Sequence, residues 1–150
     1  MTETSPKTTQ IDQVDFRIDV NGTWFHEGKE IKREALAKLF SDRALKIDGE
    51  GRYWLQTPYE KYAVNVEDVP YVAIDFEYTD QSIIFRTNMQ EEIKLTATIQ
   101  WEIRNGIPYF EVRNGLFAKI GRSVLYNLIE QFGESLKVNA TIFPLGDLHE

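Results

Sequence analysis

One short grammar occurs twice in this chain. Phe16 to Phe25 alternates apolar and polar residues about Asn21-Gly22, then leads into Ile31-Lys32-Arg33-Glu34-Ala35-Leu36-Ala37-Lys38-Leu39-Phe40. Trp101 to Phe110 surrounds Asn105-Gly106 in the same way, then leads into Ile120-Gly121-Arg122-Ser123-Val124-Leu125-Tyr126-Asn127-Leu128-Ile129. Asn-Gly between alternating runs is a strong hairpin signal, because a type I′ turn needs positive φ at both central residues. The shared Ile-x-Arg-x-small-Leu-x-x-Leu-apolar pattern has the period of an amphipathic helix. Each copy therefore reads as strand, turn, strand, helix. The expected fold is α+β, with mostly antiparallel strands and two helices, built from a repeated hairpin-helix motif.

The remaining segments fit around that pair. Leu45 to Ile47 and Tyr53 to Leu55 make a further hairpin through Asp48-Gly49-Glu50-Gly51, and Thr57-Pro58 breaks the pattern. Tyr62 to Val66, Tyr71 to Tyr78 and Ile83 to Phe85 are rich in β-branched and aromatic residues and read as strands. Val66 to Pro70 and Thr79 to Ser82 read as the turns between them. Ile93 to Ile103 and Ile107 to Val112 form the second Asn-Gly hairpin, and Val138 to Phe143 is a last strand. The helices are expected at about Lys32 to Asp42 and at Leu116 to Phe132, the latter closed by Gly133. The domain division is a disordered polar lead over 1–13, a first repeat subdomain over 14–60 and a second over 61–150.

Superimposing the two helical patterns puts Arg33 and Arg122 at one position, on the border of the apolar stripe. A border arginine lays its stem over the core and keeps its head in water, or faces a cleft and clamps an anion with its planar fork. Gly121 falls where the first copy has Lys32. Inside a helix a glycine costs roughly 1 kcal/mol against alanine, so close approach of another element is the reason to expect for it.

Charge narrows the partners. The 150 residues carry a net charge of −7, which disfavours nucleic acid as a partner. The charge is uneven: residues 29–46 hold six basic and three acidic side chains, and residues 60–80 hold six acidic side chains and Lys61. That leaves a cationic rim suited to a small anionic ligand. The chain has no cysteine, which excludes disulfides and thiolate chemistry. No stretch approaches the roughly 20 apolar residues of a spanning helix, so no membrane is expected and the expected location is cytoplasmic.

Catalytic patterns are sparse. Gly121-Arg122-Ser123-Val124-Leu125 lacks the closing glycine of a nucleophile elbow and falls in a helical pattern. Only His26 and His149 are available, so a histidine-rich metal site cannot form within one chain. Glu60, Glu67 and Asp68 flank a polar turn, where carboxylates serve acid–base work with His26 or simply the turn itself. No catalytic residue, metal or cofactor is assigned.

The polar segments carry a further message taken together. Asn21 to Gly28, Ile31-Lys32-Arg33, Thr57-Pro58-Tyr59-Glu60-Lys61, Val66-Glu67-Asp68-Val69-Pro70-Tyr71 and Thr87-Asn88 come in that order. Pro108 to Leu116 and Ile120 to Tyr126 follow. This series resembles the bacterial family of domain of unknown function 1285, from about Asp15 to Ile129. The chain departs from the family pattern at Gln90-Glu91, where the family tends to Gly-Asp, and over Leu95 to Ile99, which lacks the usual proline. The resemblance implies an α+β fold with a repeated motif, no established enzymatic activity, and a suggested part in signal transduction through a small molecule. It singles out Thr57, Glu60, Lys61, Glu67, Asp68 and Asn88, which join Arg33 and Arg122 as the candidate ligand-binding set. The leading expectation is a non-catalytic small-molecule-binding module whose site lies between the two repeats. A protein–protein adaptor or homo-oligomeric domain is the alternative, and a carboxylate-based enzyme the second.

Overall fold

The computed structural model describes residues 16–39 and 44–146. The expected lead over 1–13, the end of the first helix beyond Leu39 and His149 lie outside them. The chain divides into two compact units, one ending at Pro70 and the other beginning at Tyr71.

The first unit runs β1 (Phe16–Ile18), β2 (Trp24–His26), β3 (Lys29–Ile31), α1 (Arg33–Leu39), β4 (Leu45–Ile47), β5 (Tyr53–Gln56) and β6 (Lys61–Val66). These strands form one six-stranded sheet in the order β3-β2-β1-β6-β5-β4. Every neighbouring pair is antiparallel except β1 and β6, which run parallel with Phe16 opposite Val64 and Ile18 opposite Val66. This pairing places β6 in the first unit, so the division falls at Pro70 and not at the expected residue 60. Strand alternation turns Phe16, Ile18, Trp24, Leu45, Leu55 and Val64 to one face, and all six are buried.

The second unit runs β7 (Tyr71–Thr79), β8 (Ser82–Thr87), β9 (Glu92–Lys94), β10 (Trp101–Arg104), β11 (Ile107–Arg113), β12 (Leu116–Ile120), α2 (Arg122–Phe132), β13 (Ser135–Val138) and β14 (Thr141–Pro144). Its main sheet has the order β10-β11-β12-β7-β8-β9, with β12 and β7 parallel. The plan is that of the first unit: two three-stranded meanders joined where the first strand of one lies parallel to the last strand of the other. Phe85, Phe110 and Trp101 stack at its centre, with ring centroids 5.2 Å apart for the phenylalanine pair and 6.1 Å for Trp101 and Phe110. From α2, Val124, Leu125 and Leu128 are buried, and Phe132 meets the Tyr78 ring edge-on at 5.0 Å. Full burial of a leucine or phenylalanine stabilises by about 1.5–3 kcal/mol, so this helix is held chiefly by its inner face.

The structure corrects four readings of the sequence. Leu116 to Ile120 is a strand and α2 begins at Arg122, because Leu116, Ala118 and Ile120 alternate into the core with period 2. Gly121 is therefore the residue before the helix, where its N–H donates to the Ala73 carbonyl at 3.0 Å. An added Cβ would lie 3.0 Å from that same oxygen, so close approach is the reason for the glycine, but at the helix entrance. The Asn21-Gly22 turn is not type I′. Gly22 alone takes positive φ there, and the loop opens at Asp19, whose carbonyl accepts the Gly22 N–H. Asn105 and Gly106 do both take positive φ, at 52° and 79°. The final strand is a hairpin, β13 and β14, turning at Asn139-Ala140. Ile93 to Ile103 is two strands, β9 and β10, separated by a loop.

The duplicated grammar also lands differently from its sequence alignment. Its first copy supplies β1-β2-β3-α1 and its second β10-β11-β12-α2. In the first copy the leading strand, β1, is central in its sheet, whereas in the second the leading strand, β10, is at the edge. The two copies thus occupy opposite wings of the same six-stranded plan.

Candidate functional site

Of the polar residues singled out from sequence, Thr57 and Glu60 build a turn, and the others are spread over strands, loops and helix starts in both units. Thr57 Oγ1 accepts the N–H groups of Tyr59 at 3.2 Å and Glu60 at 3.0 Å, and the Thr57 N–H donates to the Glu60 carbonyl. Asn88 clasps one residue of β7: its N–H donates to the Val72 carbonyl and its Oδ1 accepts the Val72 N–H. Glu67 receives Arg17 Nη1 at 2.7 Å on the surface, and Asp68 follows it half-buried. Arg33 and Arg122 do hold equivalent places, each the first residue of its helix, but in different units. Arg33 lies 3.9 Å from Glu34, and Arg122 is exposed.

The carboxylates do not converge on His26. Glu60 and Glu67 lie just beyond opposite ends of β6, roughly 20 Å apart along an extended strand. His26 instead stacks on Phe16 with centroids 4.6 Å apart, and the Glu27 carboxylate lies 3.9 Å from it. Among the described residues no group of three or more His, Cys, Asp or Glu is arranged to hold a metal ion. The most enclosed ion pair joins Arg113 to Glu91, with side chains 13% and 24% exposed. Arg113 Nη2 also donates to the Tyr71 hydroxyl at 3.2 Å, so this cluster ties the β8–β9 loop to the end of β11.

Lys61 leads to a different place. The register sets Trp54 opposite Ala63 on β6 and opposite Lys46 on β4, with Gln56 opposite Lys61. Alternation adds Arg52 and Asn65 to the same face, away from the core. Lys46, Arg52, Lys61 and Asn65 are all exposed, and the Lys61 ammonium sits 4.3 Å from the centre of the Trp54 ring. Trp54 itself is only 8% exposed, with Lys61 over its ring. A groove of about 250 Å³ opens against Gly51 to Trp54 on one strand and Ala63 to Val66 on the next.

Asp48 fixes the indole. Trp54 Nε1 donates to Asp48 Oδ2 at 3.0 Å, while Oδ1 accepts the backbone N–H groups of Glu50 and Arg52 at 2.9 Å each. The Trp54 bond is the largest of the influences that lower the Asp48 pKa from 3.8 to about 2, followed by the Arg52 and Glu50 backbone bonds and the Arg52 charge. Arg52 is itself occupied by Asp48 at 3.5 Å and by Glu50. Lys46 and Lys61 have no carboxylate partner among the described residues. Two unneutralised lysines thus border a pinned tryptophan. Sequence reasoning named Lys61 and missed Trp54, Lys46, Arg52 and Asn65. Their signal is the alternation Arg52-x-Trp54-x-Gln56 against Lys61-x-Ala63-x-Asn65, legible only once the register is known.

Comparison with known proteins supplies a lineage. The family model for the N-terminal domain of the domain of unknown function DUF1285 matches residues 5–69, and the C-terminal domain model of the same family matches residues 70–143. A crystal structure of a DUF1285 family protein from Silicibacter pomeroyi DSS-3 is 32% identical, with a TM-score of 0.73, covering 90% of this chain and 81% of its own. Another, from Shewanella baltica OS155, is 29% identical with a TM-score of 0.64, covering 79% of this chain and 93% of its own. No curated protein matches. Two family models in sequence, meeting where the two structural units meet, establish the point: the chain belongs to the DUF1285 family.

Proposed function

We propose that this protein is a non-catalytic module that binds a small anionic molecule in the Trp54 groove of its first unit, as a sensor in signal transduction. The observation that carries the reading is that Lys46 and Lys61, neither with a carboxylate partner among the described residues, both stand beside Trp54 in a chain of net charge −7. The arginines at 17, 52, 86, 104 and 113 all have acidic partners. An unneutralised cation pair beside a half-apolar groove favours an anion with some apolar surface. The hydrogen bonds to Asp48 hold the indole in place before any ligand arrives, which lowers the ordering cost of binding. This reading replaces the arginine pair by Lys46 and Lys61 as the anion-binding residues, and keeps Lys61 from the set chosen on sequence.

A thermal-shift screen against nucleotides, sugar phosphates and organic acids tests it. A ligand at 100 times its dissociation constant adds about 2.7 kcal/mol, which for a chain of this size raises Tm by roughly 5–11 °C. Lys46→Ala with Lys61→Ala is expected to abolish the shift while Tm without ligand stays within a few degrees. A shift that survives both substitutions, or no shift from any anion, would overturn the reading.

A second reading is favoured by one residue. Tyr59 stands 91% exposed at the β5–β6 turn, where its N–H donates to the Thr57 Oγ1. An exposed aromatic on a fixed turn is the type of anchor that adaptor surfaces use. Sedimentation over a range of concentrations, with Tyr59→Ala beside the parent, separates self-association from a monomeric binding module.

A further inference from the structure

We infer that the ligand of the Trp54 groove is a planar heteroaromatic anion of the mononucleotide class; the inference rests on the binding reading above and adds the chemical class. Three features of the groove point the same way. The Lys61 ammonium lies 4.3 Å over the Trp54 ring centroid, so the ring is covered by a flexible side chain that can swing aside. That cover is weak, since an exposed cation–π contact adds little to stability. An aromatic guest that takes the ammonium's place gains the indole surface and releases Lys61 to meet the guest's anionic group, with Lys46 across the strand as its second partner. Asn65 lines the groove, and its side-chain amide makes no hydrogen bond among the described residues. It offers one donor side and one acceptor side, the pairing that the edge of a heteroaromatic base requires.

The site is also small. A groove of about 250 Å³ suits a single base and not a strand of them, and the chain's net charge of −7 repels a polyanion.

Calorimetric titration of the full chain with AMP, GMP, ribose 5-phosphate and a single-stranded tetranucleotide tests the class. One or both mononucleotides are expected to bind at least tenfold more tightly than ribose 5-phosphate. Asn65→Ala, at an exposed position, is expected to narrow that gap three- to tenfold. Trp54→Phe retains a ring and is expected to keep part of the preference, while Trp54→Leu removes it and leaves phosphate binding that still depends on Lys46 and Lys61. Equal affinity for ribose 5-phosphate and the mononucleotides, lost in Lys46→Ala with Lys61→Ala, would sink the aromatic class and leave the anion site standing. Absence of binding by every probe would overturn both. A tetranucleotide that binds tenfold more tightly than AMP would replace the small molecule by a nucleic acid strand.

Discussion

Three loops of this protein share one construction, and the residue that differs among them is instructive. Asp19, Asp48 and Thr87 each open a loop in which the side-chain oxygen accepts the N–H groups two and four residues on. In each the fourth residue takes positive φ: Gly22 at 81°, Gly51 at 84° and Gln90 at 69°. A side chain in that region costs about 1 kcal/mol or more against glycine. Gln90→Gly is therefore expected to raise Tm by roughly 2–4 °C, measured by thermal denaturation; no gain would mean that Gln90 is compensated by its neighbours. The geometry thus shows a position suited to glycine filled by Gln90.

Asp48 allows a pH prediction at the same scale. Its carboxylate is stabilised in the folded chain, so the unfolded chain takes up the proton first as pH falls. The contribution is fully present above the unfolded value of 3.8 and is lost as pH drops towards about 2. Asp48→Asn is expected to lower the urea midpoint at pH 7 and to converge with the parent near pH 2. Parallel curves across that range would show that the Trp54 bond does not depend on charge.

At the scale of elements, the join between β12 and α2 depends on Gly121. Its φ of −62° is open to any residue, so alanine there meets a purely steric problem with the Ala73 carbonyl. Gly121→Ala is expected to cost about 1–3 kcal/mol, the range for overpacking, seen in chemical denaturation with faster amide exchange at Val72 and Gly121. The same element shows why the sequence misled. Leu116 to Ile120 has four apolar residues of five and stands directly before a helix, and short segments of that kind fit strand or helix equally until a partner strand is known. The parallel pairing with β7 decides, and β7 lies more than forty residues upstream.

For the whole molecule, two six-stranded sheets of one plan stand in series, each with its own buried residues. The second unit holds Phe85, Phe110, Leu116, Ile120, Leu125, Leu128 and Leu136 at 2% exposure or less. Residues 71–146 alone are therefore expected to unfold in one cooperative transition. A gradual melt by circular dichroism would show that this unit depends on the first. At about 75 residues such a unit is near the lower range of independent stability.

What the amino-acid sequence determined by itself was local: the α+β class, the Asn105-Gly106 turn, the hairpin through Asp48 to Gly51, the strands from Tyr62 to Phe85, and the family. Each rests on periodicity, turn chemistry or motif order within a short window. Thr57 and Asn88 stood out in the sequence as part of the polar segments of the family resemblance; the hydrogen bonds of Thr57 are those of a turn, and those of Asn88 fasten its loop to Val72 of β7. Only the tertiary structure decided which strands lie side by side, and with them the face that gathers Lys46, Trp54, Lys61 and Asn65. They lie on three strands, Lys46 on β4, Trp54 on β5, and Lys61 and Asn65 on β6, and of the four only Lys61 falls in a motif that the sequence singled out. The physical reason is that register is a long-range quantity: a shift of one residue would turn Trp54 to the opposite face of the sheet.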